Sequence, residues 1–452
     1  MTSTQFATDS PPIESEADLL QIFQRGETPR SQWMVGTEHE KIGYRRELRR
    51  PIPYGGDYGI RAVLEAFQAR FGWEAVMEGD HVIALARGRA TISLEPGGQF
   101  ELSGAPLATA HDTCKELNQH LDEIHDISKD LGLVWIALGR NPIVPSAEMP
   151  WMPKQRYAVM RNYLPKRGTM GIDMMAGTGT VQTNLDYSDE ADMATKMRVA
   201  MAISPMVTAL YANSPFANGG PTGFLSTRAL IWQNTDPDRT GILPAVFRES
   251  FTYKDYVDYA LDVPMFFIHR GVYIDCAGHS FREFMRHGLE GERATLQDWE
   301  LHLTTVFPEA RLKNYIELRM ADAGPVRMIC ALPAFTRGLF YDRTALENAA
   351  RLVQVIAPEA LTQGLRDAAR IALRAELAGR TLQDWSRDIV TIAREGLERL
   401  DARNDAGENE VKYLQPLIEM AETGRTGADD LLERWNGRWG RSFGPMFEEC
   451  QF

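Results

Sequence analysis

Two glutamates separated by one residue open the chemically informative part of this sequence. Glu38 and Glu40 lie at residues 36–44, GTEHEKIGY, where the pattern favours a β-strand. Side chains two residues apart on a strand share a face and lie roughly 7 Å apart. Two carboxylates so placed repel each other unless a hard cation such as Mg²⁺ lies between them. The pair therefore predicts a magnesium site, and the alternative is an edge strand with a solvated acidic face.

A second pair of glutamates flanks a Pro-Gly-Gly break. Residues 91–104, TISLEPGGQFELSG, form two strand-like stretches around that break, which predicts a bulge or a tight turn. Glu95 and Glu101 both come from this extended backbone. Turns of this composition are also common without any function, so the second pair supports the first and does not stand alone.

The polar strand at residues 180–187, TVQTNLDY, is a candidate substrate floor. Thr180, Gln182 and Asn184 share one face, which is either exposed to solvent or part of a wet site.

A further strand at residues 311–320, RLKNYIELRM, places Glu317 and Arg319 on one face. They either neutralise each other or divide a site, with the glutamate on a metal and the arginine on a negatively charged substrate.

Positive charge is concentrated in two places of a chain whose formal net charge is −13. Residues 149–172 contain five basic residues and no acidic one, which makes Arg156 and Arg161 candidate anion contacts. The alternative is a solvated basic loop. Residues 214–247 predict an ordered, glycine-rich functional loop, and its candidate substrate-binding residues are Arg228, Trp232 and Arg239.

Elements with helical spacing must support these strands. A helix capped by Ser15 and Asp18 precedes the first strand, and the sequence beyond Ala331 is almost wholly helical. We expect a flexible tail at residues 1–13 and a single catalytic domain at 14–452, with a mostly helical part at 331–452. Further helices are predicted at Ile60–Phe71, Thr109–Leu131 and Ala191–Asn213. The implied fold is α+β, with an acidic floor on one face of a mainly antiparallel sheet.

Composition narrows the class of protein. The negative net charge disfavours nucleic acid as a partner, and no apolar run is long enough to span a membrane. The first twelve residues lack the basic start and apolar core of a secretory signal, and no arginine precedes Arg25, so we expect a cytoplasmic location. Four cysteines without a CxxC pair favour buried or idle thiols over a disulfide framework or a zinc site.

If the five glutamates converge, they require bound cations. Carboxylates with two or three Mg²⁺ ions and nearby arginines make a site for phosphoryl transfer from ATP. The sequence contains no GxxxxGK[ST] loop and no kinase motif set, so metal and arginine would hold the nucleotide.

Long stretches of the chain resemble the plant and proteobacterial type of glutamate–cysteine ligase from about residue 13 to the C-terminus. The most specific of them are GTEHEKIGY, SLEPGGQFELSGAP, MPKQRYAVMRNYLPKRG, GTVQTNLD, RTGILPAVF and DWELHLTTVFPEARLKNYIELRMADAGP.

The resemblance implies a glutamine-synthetase-like fold, in which helices ring a curved, mainly antiparallel sheet. It implies ATP-dependent joining of the γ-carboxylate of L-glutamate to the amine of L-cysteine through an acyl phosphate, the first step of glutathione synthesis. The expected partners are these small molecules, in a monomer or homodimer.

The same resemblance assigns roles to individual residues. Its metal-site motifs match Glu38, Glu40, Glu95, Glu101 and Glu317. Arg228 and Trp232 match the region that holds the glutamate substrate, and Arg228 and Arg319 are the expected catalytic cations. Arg156, Arg161 and Arg319 are expected carboxylate or phosphate contacts, and Arg239 is a further expected substrate-binding residue. Thr180, Gln182 and Asn184 are expected to line the substrate floor.

One departure from the plant pattern concerns the cysteines. Plant members pair the cysteine that matches Cys276 with a second one fifteen residues later, where this chain has Gly291. That bridge cannot form here, so plant-style thiol switching of this kind is not expected.

Three functions other than a glutamate–cysteine ligase are alternatives for this sequence. A related ligase would activate glutamate for a different amine, since nothing in the residues alone selects cysteine. A phosphotransferase on this type of sheet, such as a guanidino kinase, would form no amide bond. A binding protein that had kept the fold would have lost a metal glutamate, and all five are present.

Overall fold

An antiparallel sheet of ten strands lies at the centre of the fold. The computed structural model describes residues 10–452. In chain order the strands are β1 (Val35–Arg45), β2 (Arg50–Pro51), β3 (Glu74–Glu78), β4 (His81–Arg87), β5 (Ala90–Leu94), β6 (Phe100–Ser103), β7 (Leu133–Ile136), β8 (Thr180–Leu185), β9 (Phe216–Ala217), β10 (Gly220–Pro221), β11 (Thr240–Gly241), β12 (Phe267–His269), β13 (Tyr273–Asp275), β14 (Phe307–Pro308), β15 (Ala310–Leu312), β16 (Ile316–Asp322), β17 (Glu376–Leu377) and β18 (Arg380–Thr381).

Helices cover the sheet and form the C-terminal part. They are α1 (Glu16–Gln24), α2 (Ile60–Phe71), α3 (Ala110–Leu131), α4 (Arg156–Tyr163), α5 (Gly171–Gly177), α6 (Glu190–Ala202), α7 (Ser204–Leu210), α8 (Thr227–Gln233), α9 (Tyr253–Asp262), α10 (Phe281–His287), α11 (Leu296–Leu303), α12 (Val326–Phe340), α13 (Arg343–Val353), α14 (Pro358–Ile371), α15 (Leu382–Leu400), α16 (Gln415–Thr423), α17 (Gly427–Asn436) and α18 (Met446–Glu449).

Strand β1 is the axis of the sheet. The strand order is β15-β16-β8-β1-β6-β5-β4-β3, and the second half of β1 also pairs with β2 and β7. All of these pairs are antiparallel. The predicted α+β fold with a mainly antiparallel sheet is confirmed.

Local sequence explains most of the element boundaries. Ser15 and Asp18 form the predicted capping box of α1. Helix α2 has the predicted bounds and ends at Gly72, whose φ of +70° suits a residue without a Cβ.

Three boundary predictions are wrong. The single helix predicted for Ala191–Asn213 is divided into α6 and α7, because Pro205 in the first turn of α7 cannot continue a helix. The predicted loop at residues 214–247 contains helix α8. The predicted strand at residues 311–320 is a hairpin of β15 and β16.

The predicted flexible tail at residues 1–13 is only partly within the structure. Residues 1–9 lie outside the described residues. Ile13 is buried in the core, and its N–H donates to the carbonyl oxygen of Ala294 at 2.9 Å. The chain is thus packed before residue 14.

The cysteines differ from the prediction. Cys114 on α3 and Cys330 on α12 form a disulfide, with Cα atoms 5.6 Å apart. A sequence separation of 216 residues concealed this pair, because only the packing of α12 on α3 brings the two thiols together. Cys276 and Cys450 are free and buried, as expected.

None of the helices within residues 10–452 has the length and apolar character needed to cross a bilayer.

Candidate active site

Most of the predicted site residues border one cavity of about 140 Å³ on the polar face of the sheet. Those that border it are Glu38, Glu40, Glu95, Glu101, Arg156, Thr180, Gln182, Arg228, Trp232, Glu317 and Arg319. They come from β1, β6, β8 and β16 of the sheet, from helices α4 and α8, and from the turn after β5.

Four glutamates form the acidic floor of this cavity. Glu40 on β1 lies directly opposite Glu101 on β6, and Glu38 lies opposite Gln182 on β8. Directly opposed residues have Cβ atoms roughly 5 Å apart. Glu95 joins them from the turn that follows β5.

The Pro-Gly-Gly turn places Glu95 through close backbone packing. A Cβ on Gly97 would lie 2.2 Å from the carbonyl oxygen of Ala176, so only glycine fits there. Gln99 accepts from the N–H of Gly97 at 2.9 Å and donates to the carbonyl oxygen of Thr178, also at 2.9 Å. These contacts fix the turn against α5.

Burial and repulsion from neighbouring carboxylates disfavour the ionised forms of Glu40 and Glu101. Burial raises the pKa of Glu101 to about 8, and the nearby Glu95 and Glu38 add to the effect. The pKa of Glu40 is also raised, first by burial and then by Glu101 and Glu95. A cation bound here would favour the charged carboxylates.

Magnesium suits this donor set. Within residues 10–452, no three histidine, cysteine, aspartate or glutamate side chains are arranged so that they could hold one metal ion. Mg²⁺ keeps several waters and needs only one or two protein carboxylates with substrate phosphates, so pairs of glutamates suffice. The crowding of Glu40 against Glu101 is the feature that fits a divalent cation best.

Glu317 differs from the other four glutamates. It is fully buried, and both of its oxygens contact Arg311, with Arg319 and Lys313 close by. Burial acts to raise the pKa of Glu317, but the three cations outweigh it and hold that pKa well below its usual range. These contacts favour a role in holding Arg319 over a role as metal ligand.

Arg228 and Trp232 face the cavity from helix α8. The guanidinium carbon of Arg228 lies 5.8 Å from the ring centroid of Trp232, and the guanidinium carbon of Arg319 lies 5.4 Å from the same centroid. An Nη2 hydrogen of Arg228 is donated to the carbonyl oxygen of Arg319 at 2.7 Å. The two arginines and the tryptophan form one cationic wall beside the acidic floor.

Arg156 borders the cavity from the start of α4, beside Tyr157. Its Nε atom is buried and has no hydrogen-bond partner among the described residues, so it is free to donate to a ligand.

Three predicted substrate contacts lie outside the cavity. Arg161 is exposed on α4 and stacks on Trp151 at 4.4 Å. Its position five residues after Arg156 rotates it about 140° around the helix from that residue. Arg239 is fully buried, and its donors are taken by Asp236 and by the carbonyl oxygens of Thr305 and Pro264. The structure does not bring these two residues to the cavity, and their substrate contacts stay predictions.

Asn184 acts on the floor without bordering the cavity. Its Nδ2 atom donates to Glu38 at 2.8 Å, so it orients that carboxylate from the side.

Arg311 and Lys313 border the cavity and were not among the predicted site residues. Strand alternation cannot be continued from Arg311 to Glu317, because the turn between β15 and β16 interrupts it, so the sequence pattern alone did not indicate these two residues. The hairpin turn between β15 and β16 brings Arg311 directly opposite Glu317.

Curated relatives match along nearly the whole chain. A chloroplastic glutamate–cysteine ligase of Brassica juncea is 46% identical over 457 residues, which cover 98% of this chain and 87% of that protein. A chloroplastic glutamate–cysteine ligase of Arabidopsis thaliana is also 46% identical, with 98% and 86% covered.

A solved structure shares the fold. It is a glutamate–cysteine ligase from Francisella tularensis in complex with AMP, with a TM-score of 0.56 and 10% sequence identity. The match covers 92% of this chain and 87% of that one.

The predicted cytoplasmic location is wrong by this comparison. The curated relatives named above are chloroplastic proteins, not cytoplasmic ones.

The model of glutamate–cysteine ligase family 2 (GCS2) matches residues 34–449, a range that contains every residue of the acidic floor and the cationic wall. On this match, and on the identity to the curated relatives, the chain belongs to glutamate–cysteine ligase family 2.

Proposed function

We propose that this chain is a glutamate–cysteine ligase, which uses ATP to join the γ-carboxylate of L-glutamate to the amine of L-cysteine. The reaction is the first step of glutathione biosynthesis. The observation that carries this proposal is the meeting of four glutamates with a cationic wall in one cavity of a family member.

The chemistry requires two successive displacements. The γ-carboxylate of glutamate attacks the terminal phosphorus of ATP, the bond to ADP breaks, and γ-glutamyl phosphate forms. The amine of cysteine then attacks the acyl carbon, phosphate leaves, and the amide is complete after loss of a proton. Negative charge moves during both steps, so fixed cations next to the reacting groups stabilise the transition states.

Arg228 and Arg319 are the proposed catalytic cations. Both border the cavity, and the contact of Arg228 with the backbone of Arg319 sets their spacing. Trp232 supplies a rigid wall between them, and Thr180, Gln182 and Arg156 are the proposed substrate contacts. A carboxylate or phosphate that reaches this wall is neutralised where charge develops.

Two or three Mg²⁺ ions are part of the proposal. Glu38, Glu40, Glu95 and Glu101 would hold them, and the bound ions would neutralise phosphate charge and orient the nucleotide. The sequence motif predicts Glu317 as a fifth ligand. That role stays a prediction, because three cations contact its carboxylate.

We also propose that residues 14–452 act as one catalytic domain, in a monomer or homodimer. Light scattering of the purified protein distinguishes these two states.

The decisive experiment measures ADP release that depends on Mg²⁺ and L-glutamate, with L-cysteine present, omitted or replaced by other amines. Mass detection identifies the product. We expect strong turnover only with cysteine or a close analogue, and a γ-glutamyl dipeptide as product.

Two results would contradict the proposal. A clear preference for another amine would be consistent with the ATP and metal site but would make the chain a related ligase that joins glutamate to a different amine. No ADP from folded protein under any condition would mean that the glutamate floor is not the reaction site.

A further inference from the structure

A second, much smaller void lies behind the cationic wall. Its volume is about 10 Å³. Arg228, Trp232 and Arg319 border both this void and the main cavity, whereas Glu309 borders only the void. Glu309 stands between β14 and β15 and was not among the predicted site residues.

The backbone of Glu309 is fixed from both sides. Its N–H donates to the carbonyl oxygen of Gly241 at 3.0 Å, and its carbonyl oxygen accepts from the N–H of Arg319 at 3.1 Å. The backbone of Glu309 is therefore anchored to the same strand that carries Arg319.

Two of the polar side chains around the void have donors that are not paired. Nε of Arg228 and Nε1 of Trp232 are buried donors without an acceptor among the described residues. Burial raises the pKa of the Glu309 carboxyl, while the nearby charges of Arg228 and Arg319 act to lower it. The half-buried carboxylate thus borders the same void as two donors without an acceptor.

Such an arrangement calls for a bridging group. A buried polar atom left without a partner costs about 1–3 kcal/mol, so native structures rarely leave two such donors beside one void. A void of this size holds about one water molecule, and a buried water forms about three hydrogen bonds.

We propose that Glu309 is a positioning residue that acts through one ordered water. The water accepts from Nε of Arg228 and Nε1 of Trp232 and donates to the carboxylate of Glu309. This bridge holds the guanidinium and the indole in place from behind. It leaves Nη1 of Arg228 for the anionic substrate, while Nη2 donates to the carbonyl oxygen of Arg319. The inference rests on the proposed function, since it concerns the wall assigned to L-glutamate.

The first test compares two substitutions at this position by steady-state kinetics. Glu309→Leu removes the acceptor, and kcat/KM for L-glutamate is expected to fall about tenfold or more, as two buried hydrogen bonds lose their end point. Glu309→Gln keeps an acceptor oxygen and is expected to stay within about threefold of the wild type. KM for ATP should change less than about twofold in both variants, because the effect is confined to the cationic wall.

A matched control is Glu398→Leu on the exposed face of α15, which should leave all constants unchanged. Wild-type kinetics in folded Glu309→Leu would overturn the inference. An equal loss in both variants at Glu309 would also overturn it, because the charge would then matter and the acceptor would not.

A crystal structure of the wild-type protein tests the bridge without any activity. A water within about 3.2 Å of Glu309, Arg228 Nε and Trp232 Nε1 would support it. An empty void, or donors bonded elsewhere, would overturn it. An inactive wild-type protein would count against the proposed function alone, since the crystal structure still decides on the water.

Discussion

Arg311 holds both carboxylate oxygens of Glu317 across the β15–β16 hairpin, with Nε–Oε2 at 2.7 Å and Nη2–Oε1 at 2.8 Å. The remaining Nη1 group of Arg311 donates to the carbonyl oxygens of Thr304 and Val306. Glu317 in turn accepts from Arg319, which also donates to Gln182 at 2.8 Å. The Arg311–Glu317 pair is therefore anchored to the backbone, and it fixes the position of the Arg319 guanidinium, which borders the cavity.

Arg311→Lys should weaken both stability and catalysis. Lysine keeps the charge but cannot form the bidentate pair or the two carbonyl bonds, so the free energy of unfolding should fall by about 2 kcal/mol. Arg319 loses its fixed partner geometry, and kcat/KM should fall about tenfold or more. Denaturant unfolding and steady-state kinetics measure the two effects.

Arg343→Lys is the control for this change, because Arg343 forms an exposed pair with Glu347. Its effect on stability should stay below about 0.5 kcal/mol. Equal changes in free energy of unfolding and in kcat/KM for Arg311→Lys and Arg343→Lys would show that the buried pair does not position Arg319.

Glu40→Gln should impair metal use. Glu40 faces Glu101 directly, so an amide at this position removes half of the charge that would bind a shared cation. The Mg²⁺ concentration for half-maximal activity should rise roughly tenfold or more. The exposed Glu65→Gln serves as control, and an unchanged Mg²⁺ dependence in Glu40→Gln would exclude Glu40 from the metal site.

Glu101→Gln should make the free energy of unfolding of the metal-free protein less dependent on pH. The pKa of Glu101 lies near 8 in the folded protein and at 4.5 in the reference state. The folded state thus keeps a proton that the unfolded state releases. This contribution to stability is fully present below pH 4.5 and is lost as the pH rises towards 8.

The glutamine variant has no carboxyl group at this position and does not lose this stability. The difference in free energy of unfolding between variant and wild type should therefore increase from pH 4.5 to about pH 8 and then level off. Unfolding in a chelator at several pH values measures the difference. A constant difference across the range would mean that Glu101 is not protonated in the folded state. Added Mg²⁺ should reduce the difference, because the ion favours the ionised wild-type carboxylate.

Reduction of the Cys114–Cys330 disulfide should lower stability. The bond joins α3 to α12 and closes a loop of 216 residues, and such bridges contribute about 2–4 kcal/mol. Adding a reductant should therefore lower the thermal midpoint of the wild type. In Cys114→Ala the midpoint should be low already and should not respond to the reductant.

The buried free thiol Cys276 offers the matched control. Cys276→Ala should keep the response to the reductant, because it leaves the bridge intact. A wild-type midpoint that is the same with and without reductant would show that the bridge does not stabilise the native state.

The sequence by itself determined which residues share a face on each strand. Side chains alternate along extended backbone, so the pairing of Glu38 with Glu40 followed from spacing alone. The Pro-Gly-Gly break likewise indicated that Glu95 and Glu101 come from different stretches. The acidic floor was therefore predictable, and so were the long helices whose apolar spacing repeats over several turns.

Only the tertiary structure decided what those faces meet. The register of the β15–β16 hairpin places Arg311 opposite Glu317, and the packing of α12 on α3 joins two distant cysteines. A rotation of about 140° along α4 separates Arg156, which borders the cavity, from Arg161, which does not. Periodicity describes one element at a time, whereas these contacts depend on how elements far apart in sequence pack, and that is decided by the three-dimensional fold.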